Sequence, residues 1–235
     1  MVEPFEIGPQ ERKVRGILSV PGGGGPFPCV ILSHGLVSSR QSAKYVALSD
    51  ILAAHRIASC RFDYHGCGES DGKIEETTLT ERLANLESVT ALVLGRPSID
   101  ARKLGLLGSS FGGCTSLVRA ARDRRVACVC LWATPYRLGG REEPTPEGID
   151  FREELYTDFA RYDLLAEARN VRCGLVIHGE ADEVVPAAQG TAIYENLGEP
   201  KAFEMIKGGD HTFSRAADRE RAISVSLDWL GRFLL

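Results

Sequence analysis

Two kinds of hydrophobic pattern alternate along this chain, and the alternation predicts its architecture. Short apolar runs recur at "RKVRGILSV" (12–20), "PCVILSHG" (28–35), "RIASCRFDY" (56–64), "KLGLLGS" (103–109), "VACVCLWATP" (126–135), "CGLVIHGEAD" (173–182) and "KAFEMIKG" (201–208). From the second run onward they are continuous rather than alternating, as strands buried on both faces should be. Helical spacing fills the intervals. Leu79, Leu83, Leu86 and Val93 share one face of 79–94, and Thr78 with Glu81 forms a capping-box pattern at its start. Pro186 opens a second helix that Gly198 closes, and Ile223, Leu227, Leu230 and Leu234 form the stripe of a last one. Strand then helix, repeated, predicts an α/β fold: a mostly parallel sheet with helices on both faces. The "GGGG" at 22–25 reads as a loop. Residues 136–160 break the rhythm with seven acidic side chains, among them Glu142, Glu143, Glu147 and Asp158. They are expected to form a small insertion at the strand ends, where ligands of such sheets bind.

Composition narrows the class. The chain has 235 residues, enough for one large domain and short for two with separate cores. A net charge of −4 gives no electrostatic reason to expect nucleic acid as a partner. No apolar stretch approaches a membrane span, and "MVEPFEIGPQERK" lacks the basic start and apolar run of a signal peptide. Seven cysteines, several inside apolar stretches, suggest buried thiols in a reducing compartment, so a cytoplasmic protein is expected.

The chemistry gathers around "LGLLGSSFGGCT" (104–115). Gly108-Ser109-Ser110-Phe111-Gly112 fits G-x-S-x-G, a sharp strand-to-helix turn that lifts the central serine above the sheet edge. Register selects Ser110 as a nucleophile. Two rival glycine motifs fail: a P-loop needs Lys where Cys114 stands, and a dinucleotide fingerprint needs Gly where Asp71 stands. A serine hydroxyl needs a base, and the base needs a third group to orient it. His211, in the loop after "KAFEMIKG", and Asp182, in the turn after "VIHGE", supply both from the same sheet edge; Glu180 and Asp210 are the competing acids. The backbone N–H groups of Leu36 and Phe111 are the candidate oxyanion donors. His34 reads as a structural loop residue. Cys128 and Cys130 share a strand face with no histidine at metal-ligand spacing, and His178, Glu180 and Asp182 lack a metal-binding helix pattern, so no metal is expected. Trp132 and Tyr136 are candidates for the substrate pocket. Phe151, Tyr156, Phe159 and Tyr162 either cover an apolar substrate or pack the insertion down.

With "HGL" (34–36), "FDYHGCGESDG" (62–72), "GSSFGG" (108–113), "HGEADEVVP" (178–186) and "GGDHTF" (208–213) in this order, the sequence resembles the α/β-hydrolase superfamily from about Arg12 to the C-terminus. Within it the chain is similar to small carboxylesterases of the cinnamoyl (feruloyl) esterase-like group. The resemblance implies a sheet of about eight strands, a short lid at 136–160 within a single 1–235 domain, and a serine esterase working through Ser110, His211 and Asp182 with an acyl-enzyme. It also implies that Asp63, Gly66, Gly68 and Ser70 shape a loop beside the site. Two positions depart from the pattern: Ser109 stands where many relatives have His, and 136–160 is shorter than the cinnamoyl esterase insertion. The expected partner is a small-molecule ester, with no cofactor, nucleic acid or membrane; a homodimer is compatible with the sequence. Thioesterase and peptidase activity use the same triad, and a non-catalytic binding module is the alternative outside enzymes.

Overall fold

The computed structural model describes residues 1–139 and 148–235. Its eight strands are β1 (Val2–Ile7), β2 (Val14–Ser19), β3 (Phe27–Ser33), β4 (Ala58–Phe62), β5 (Ile99–Ser109), β6 (Val126–Trp132), β7 (Gly174–Gly179) and β8 (Lys201–Ile206). They form one sheet in the order β1-β2-β4-β3-β5-β6-β7-β8. The pairings β1 with β2 and β2 with β4 are antiparallel, and all the others are parallel. β3, β4 and β7 are buried along their whole length, which is why their sequences read as unbroken apolar runs.

Two cores result, one on each face. Val30 and Leu32 of β3 join the core under α1 (Ala43–Ala54) and α7 (Ala216–Leu234), while Cys29 and Ile31 face the other side. That other core is closed by α2 (Leu79–Leu94), α3 (Phe111–Arg122), α4 (Glu153–Phe159), α5 (Leu164–Ala168) and α6 (Ala187–Asn196). Thr78 caps α2 by accepting from the Glu81 N–H at 3.1 Å. The capping box is half made, because the Glu81 carboxylate turns instead to Arg12 and His65.

Three expectations need correction or completion. β1 was not among the expected strands; it alternates exposed and half-buried residues at the sheet edge and carries Pro4, as edge strands tolerate. Trp132 does not line a pocket. It points into the α1/α7 core with no exposure, donates from Nε1 to Ser226 Oγ at 2.8 Å and meets the Phe213 ring edge-on. In the expected insertion, Glu142, Glu143 and Glu147 lie outside the described residues, whereas Phe151 and Phe159 are buried and Asp158 accepts from Thr80 at the start of α2.

A close backbone approach occurs at Gly112, in the first turn of α3, where an added Cβ would overlap the carbonyl oxygen of Ser33 on the neighbouring strand. Neither atom belongs to a flexible side chain, so nothing can yield cheaply. Gly112→Ala is expected to destabilise the protein by about 1–3 kcal/mol, a fall in Tm of roughly 2–12 °C. Gly22→Ala, where an added Cβ meets nothing within 4 Å, should leave Tm within about 1 °C. Thermal unfolding of the two variants beside the parent checks both.

Candidate active site

β5 ends at Ser109 and α3 begins at Phe111, so Ser110 alone makes the turn, at φ 54° and ψ −126°. An L-residue pays strain of about 1–3 kcal/mol for such a backbone. The turn is clamped from both sides: the Ser110 N–H donates to the Trp132 carbonyl at 2.8 Å, and the Ser110 carbonyl accepts from the Gly113 N–H at 2.8 Å. The result is a hydroxyl held above the carboxyl edge of the sheet, at the N-terminus of a helix whose dipole favours negative charge.

The structure brings His211 and Asp182 to that hydroxyl. His211 Nε2 lies 3.1 Å from Ser110 Oγ, and His211 Nδ1 lies 2.9 and 3.0 Å from the two oxygens of Asp182. A carboxylate can only accept, so Nδ1 carries the proton and Nε2 is free to accept from the serine. The Asp182 carboxylate is fully buried and held by its own turn, accepting from the N–H groups of Val184 (2.9 Å) and Val185 (2.7 Å). Burial alone would favour its neutral form; hydrogen bonds from His178, His211 and Val185 outweigh that and hold the carboxyl well below the usual carboxylate range. The competing acids are engaged elsewhere. Glu180 accepts from the Gly208 N–H, and Asp210 accepts from Thr212 and Ser214.

His178 has a role that its spacing does not announce. Fully buried, it places Nε2 2.9 Å from the Val185 carbonyl and 3.2 Å from Asp182, so two imidazoles share one carboxylate. Among the described residues no cluster of His, Cys, Asp and Glu is arranged to hold a metal ion.

On the other side of Ser110 the turn His34-Gly35-Leu36 leans against the elbow: a Cβ added to Gly35 would lie 3.5 Å from Ser110 Cβ. Among the described residues, neither the Leu36 nor the Phe111 backbone N–H has a protein acceptor. His34 is structural: Nε2 accepts from the Tyr64 N–H at 3.1 Å, so Nδ1–H donates to the Gly35 carbonyl at 2.7 Å. Burial, aided by the nearby Arg82 charge, lowers its pKa to about 3 and keeps the ring neutral. Ser109 Oγ accepts from Lys44 Nζ at 2.9 Å. Burial lowers that ammonium to about 8, against the pull of Asp210. Asp63, expected to shape a loop, does so by accepting from the N–H groups of Arg40 and Glu69 and pairing with the Arg40 guanidinium. Ser70 Oγ donates to the Asp63 carbonyl at 2.6 Å. The cysteines are all free, and burial pushes the Cys114 thiol up, so it packs rather than reacts.

A cavity of about 880 Å³ opens beside α4, lined by Tyr136, Leu138, Tyr156, Phe159 and Tyr162 among others. Ser110 and His211 do not line it; Phe159 connects it to the elbow by packing on Phe111, with ring centroids 5.7 Å apart.

Several known proteins resemble this chain. A 31.7 kDa protein of Escherichia coli from the traX-finO intergenic region is 32% identical over 110 residues, 47% of this chain and 38% of that protein. The mitochondrial palmitoyl-protein thioesterase ABHD10 of Mus musculus is 27% identical over 221 residues, 83% of this chain and 72% of that one. Among solved structures, Est1E from Butyrivibrio proteoclasticus with ferulic acid bound superposes with a TM-score of 0.84 at 20% identity, covering 97% of this chain and 99% of that one. A family model described as serine aminopeptidase, S33, matches residues 24–160, more than half of the chain. With an α/β-hydrolase sheet and this family match together, the chain belongs to the serine aminopeptidase S33 family of α/β hydrolases.

Proposed function

We propose that this hydrolase cleaves carboxylic esters through an acyl-enzyme on Ser110. The observation that carries the reading is the continuous relay from Ser110 Oγ through His211 to Asp182, every link at hydrogen-bonding distance. In the reaction, Ser110 Oγ attacks the ester carbonyl while His211 Nε2 takes its proton. Asp182 keeps the other ring nitrogen protonated and stabilises the imidazolium that forms. The carbonyl oxygen, now an anion, is received by the Leu36 and Phe111 N–H groups; each such donor is worth about 2.7–4 kcal/mol in a site of this kind. His211 returns the proton to the leaving alcohol, then activates the water that releases the acid. Tyr136, with Tyr156 and Phe159, offers an aromatic wall for the acyl group. A thioester is the second reading, favoured by the mouse relative's designation as a thioesterase. The same steps apply, with a thiolate as the better leaving group.

Ser110→Ala is expected to abolish p-nitrophenol release from short acyl esters and labelling by a fluorophosphonate probe, whereas Ser109→Ala keeps both. Wild-type turnover in Ser110→Ala would overturn the assignment, and a wild-type chain that never labels would favour a binding module. A panel of acyl-matched oxygen esters, thioesters and aminopeptidase substrates ranks the chemistries by kcat/KM.

Asp182→Asn should lower kcat by about 10⁴-fold, because the amide can donate to Nδ1 and so favours the wrong tautomer. The same variant tests linkage. Since folding depresses the Asp182 pKa, its ionised form contributes stability that is fully present above the unfolded value of about 3.9. That contribution fades as the pH falls through the lower folded value. The Tm advantage of wild type over Asp182→Asn should therefore be constant from about pH 5 to 7 and shrink below about pH 4. An advantage that grew on acidification would contradict it.

A further inference from the structure

One charged residue breaks the apolar face of α2. Leu79, Leu86, Val89 and Val93 turn inward, and Arg82 lies on the same stripe with no exposure at all. Its guanidinium meets neutral groups: Nε donates to Thr77 Oγ1 at 3.1 Å, Nη1 to the Gly35 carbonyl at 3.1 Å, and Nη2 to the Leu36 carbonyl at 2.9 Å. Longer contacts reach the His34 carbonyl at 3.4 Å and Cys67 Sγ at 3.4 Å. The cation also lies over the rings of Tyr64 and Phe111, 4.6 and 5.2 Å from their centroids. Among the described residues it forms no ion pair. Burying a guanidinium on neutral acceptors is unfavourable, and a leucine here would continue the stripe without that penalty.

Where those donors land suggests what the charge is for. The Gly35 oxygen accepts twice, from Arg82 and from His34 Nδ1–H. It belongs to the peptide group whose nitrogen is that of Leu36. This peptide is trans, so its N–H points opposite to its C=O. Anchoring the oxygen toward α2 turns the Leu36 N–H the other way. Hydrogen bonds to a peptide oxygen also polarise the group and strengthen its N–H as a donor. The second candidate oxyanion donor, Phe111, has its ring under the same guanidinium.

We propose that Arg82 is the positioning residue of the oxyanion site, fixing the Gly35–Leu36 peptide and sharpening the Leu36 N–H for the negative oxygen of the transition state. The proposal rests on the reading of Ser110 as nucleophile with Leu36 and Phe111 as donors. It predicts a loss confined to the transition state: substrate binds as before, and the anion is held less well.

The test compares wild type, Arg82→Met, Arg82→Lys and Thr77→Ala, the last leaving the guanidinium in place with Nε unanchored. Each is followed by thermal unfolding, by kcat and KM on p-nitrophenyl butyrate, and by inhibition with a phenylboronic acid, whose tetrahedral serine adduct mimics the oxyanion. Arg82→Met should lower kcat by about 30-fold or more with KM within about threefold, and weaken boronate inhibition by a similar factor. Arg82→Lys should recover part of the loss, and Thr77→Ala should cost about three- to tenfold in kcat with the same unchanged KM. If Arg82→Met does not fold, the other two variants are read by the same criteria. Folded variants that lose Tm but keep kcat and boronate inhibition within twofold would assign Arg82 to packing alone and overturn the proposal, leaving the Ser110 reading intact. A wild-type chain that neither turns over nor labels at Ser110 would instead remove that reading, and this proposal with it.

Discussion

Parallel pairing at the centre of the sheet is the constraint on which the site depends. Ser33 of β3 stands beside Gly108 of β5, Ser109 beside Trp132 of β6, Trp132 beside Ile177 of β7, and Gly179 beside Ile206 of β8. Strands in this register finish level with one another. The turns that follow β3, β5, β7 and β8 therefore open on one rim, and residues 35, 110, 182 and 211 become neighbours although 176 positions separate the first from the last. A slip of one residue in any pairing would exchange the two faces of that strand and move its turn off the rim. The apolar pattern that secures the cores thus also secures the chemistry.

Around Ser110 the environment is asymmetric, and the asymmetry suits acyl transfer. On one side stands a buried carboxylate shared by two imidazoles, with donors enough to keep it ionised despite burial. On the other are main-chain N–H groups, a neutral His34 and the guanidinium behind them. On the proposed mechanism, negative charge sits where a proton must be drawn away, and positive charge sits where an anion develops. Neither depends on the bulk charge of the chain, which is slightly negative.

Much of this was readable from residue order, and the failures have physical causes. Strands buried on both faces give continuous apolar runs, as in β3, β4 and β7; β2 and β8 were also legible, although β2 alternates buried with half-buried residues and only Ile206 of the edge strand β8 is buried. β1 was not, because an edge strand with Glu3, Pro4 and Glu6 has no such run to show. Ser110, Asp182 and His211 were legible because each lies within a few residues of a strand's carboxyl end, and a parallel sheet converts that local fact into proximity. The side taken by Trp132 was not legible, since alternate residues of a buried strand enter different cores and both cores are apolar. Arg82 did leave a trace, as the one charged residue at an inward position of α2, but its carbonyl acceptors come from a turn almost fifty residues away. His178 left less. Its tie to Asp182 depends on the fold of the turn between them, which spacing does not reveal.

The backbone of Ser110, bent into a region where side chains are unwelcome, carries one more implication. Glycine would sit in that bend without tension, and the relief should exceed what glycine adds to the freedom of the unfolded chain. On the proposed mechanism, the sturdiest version of this protein and the working version therefore differ at the same residue. A search that rewards heat resistance alone would drift toward a chain without the proposed nucleophile.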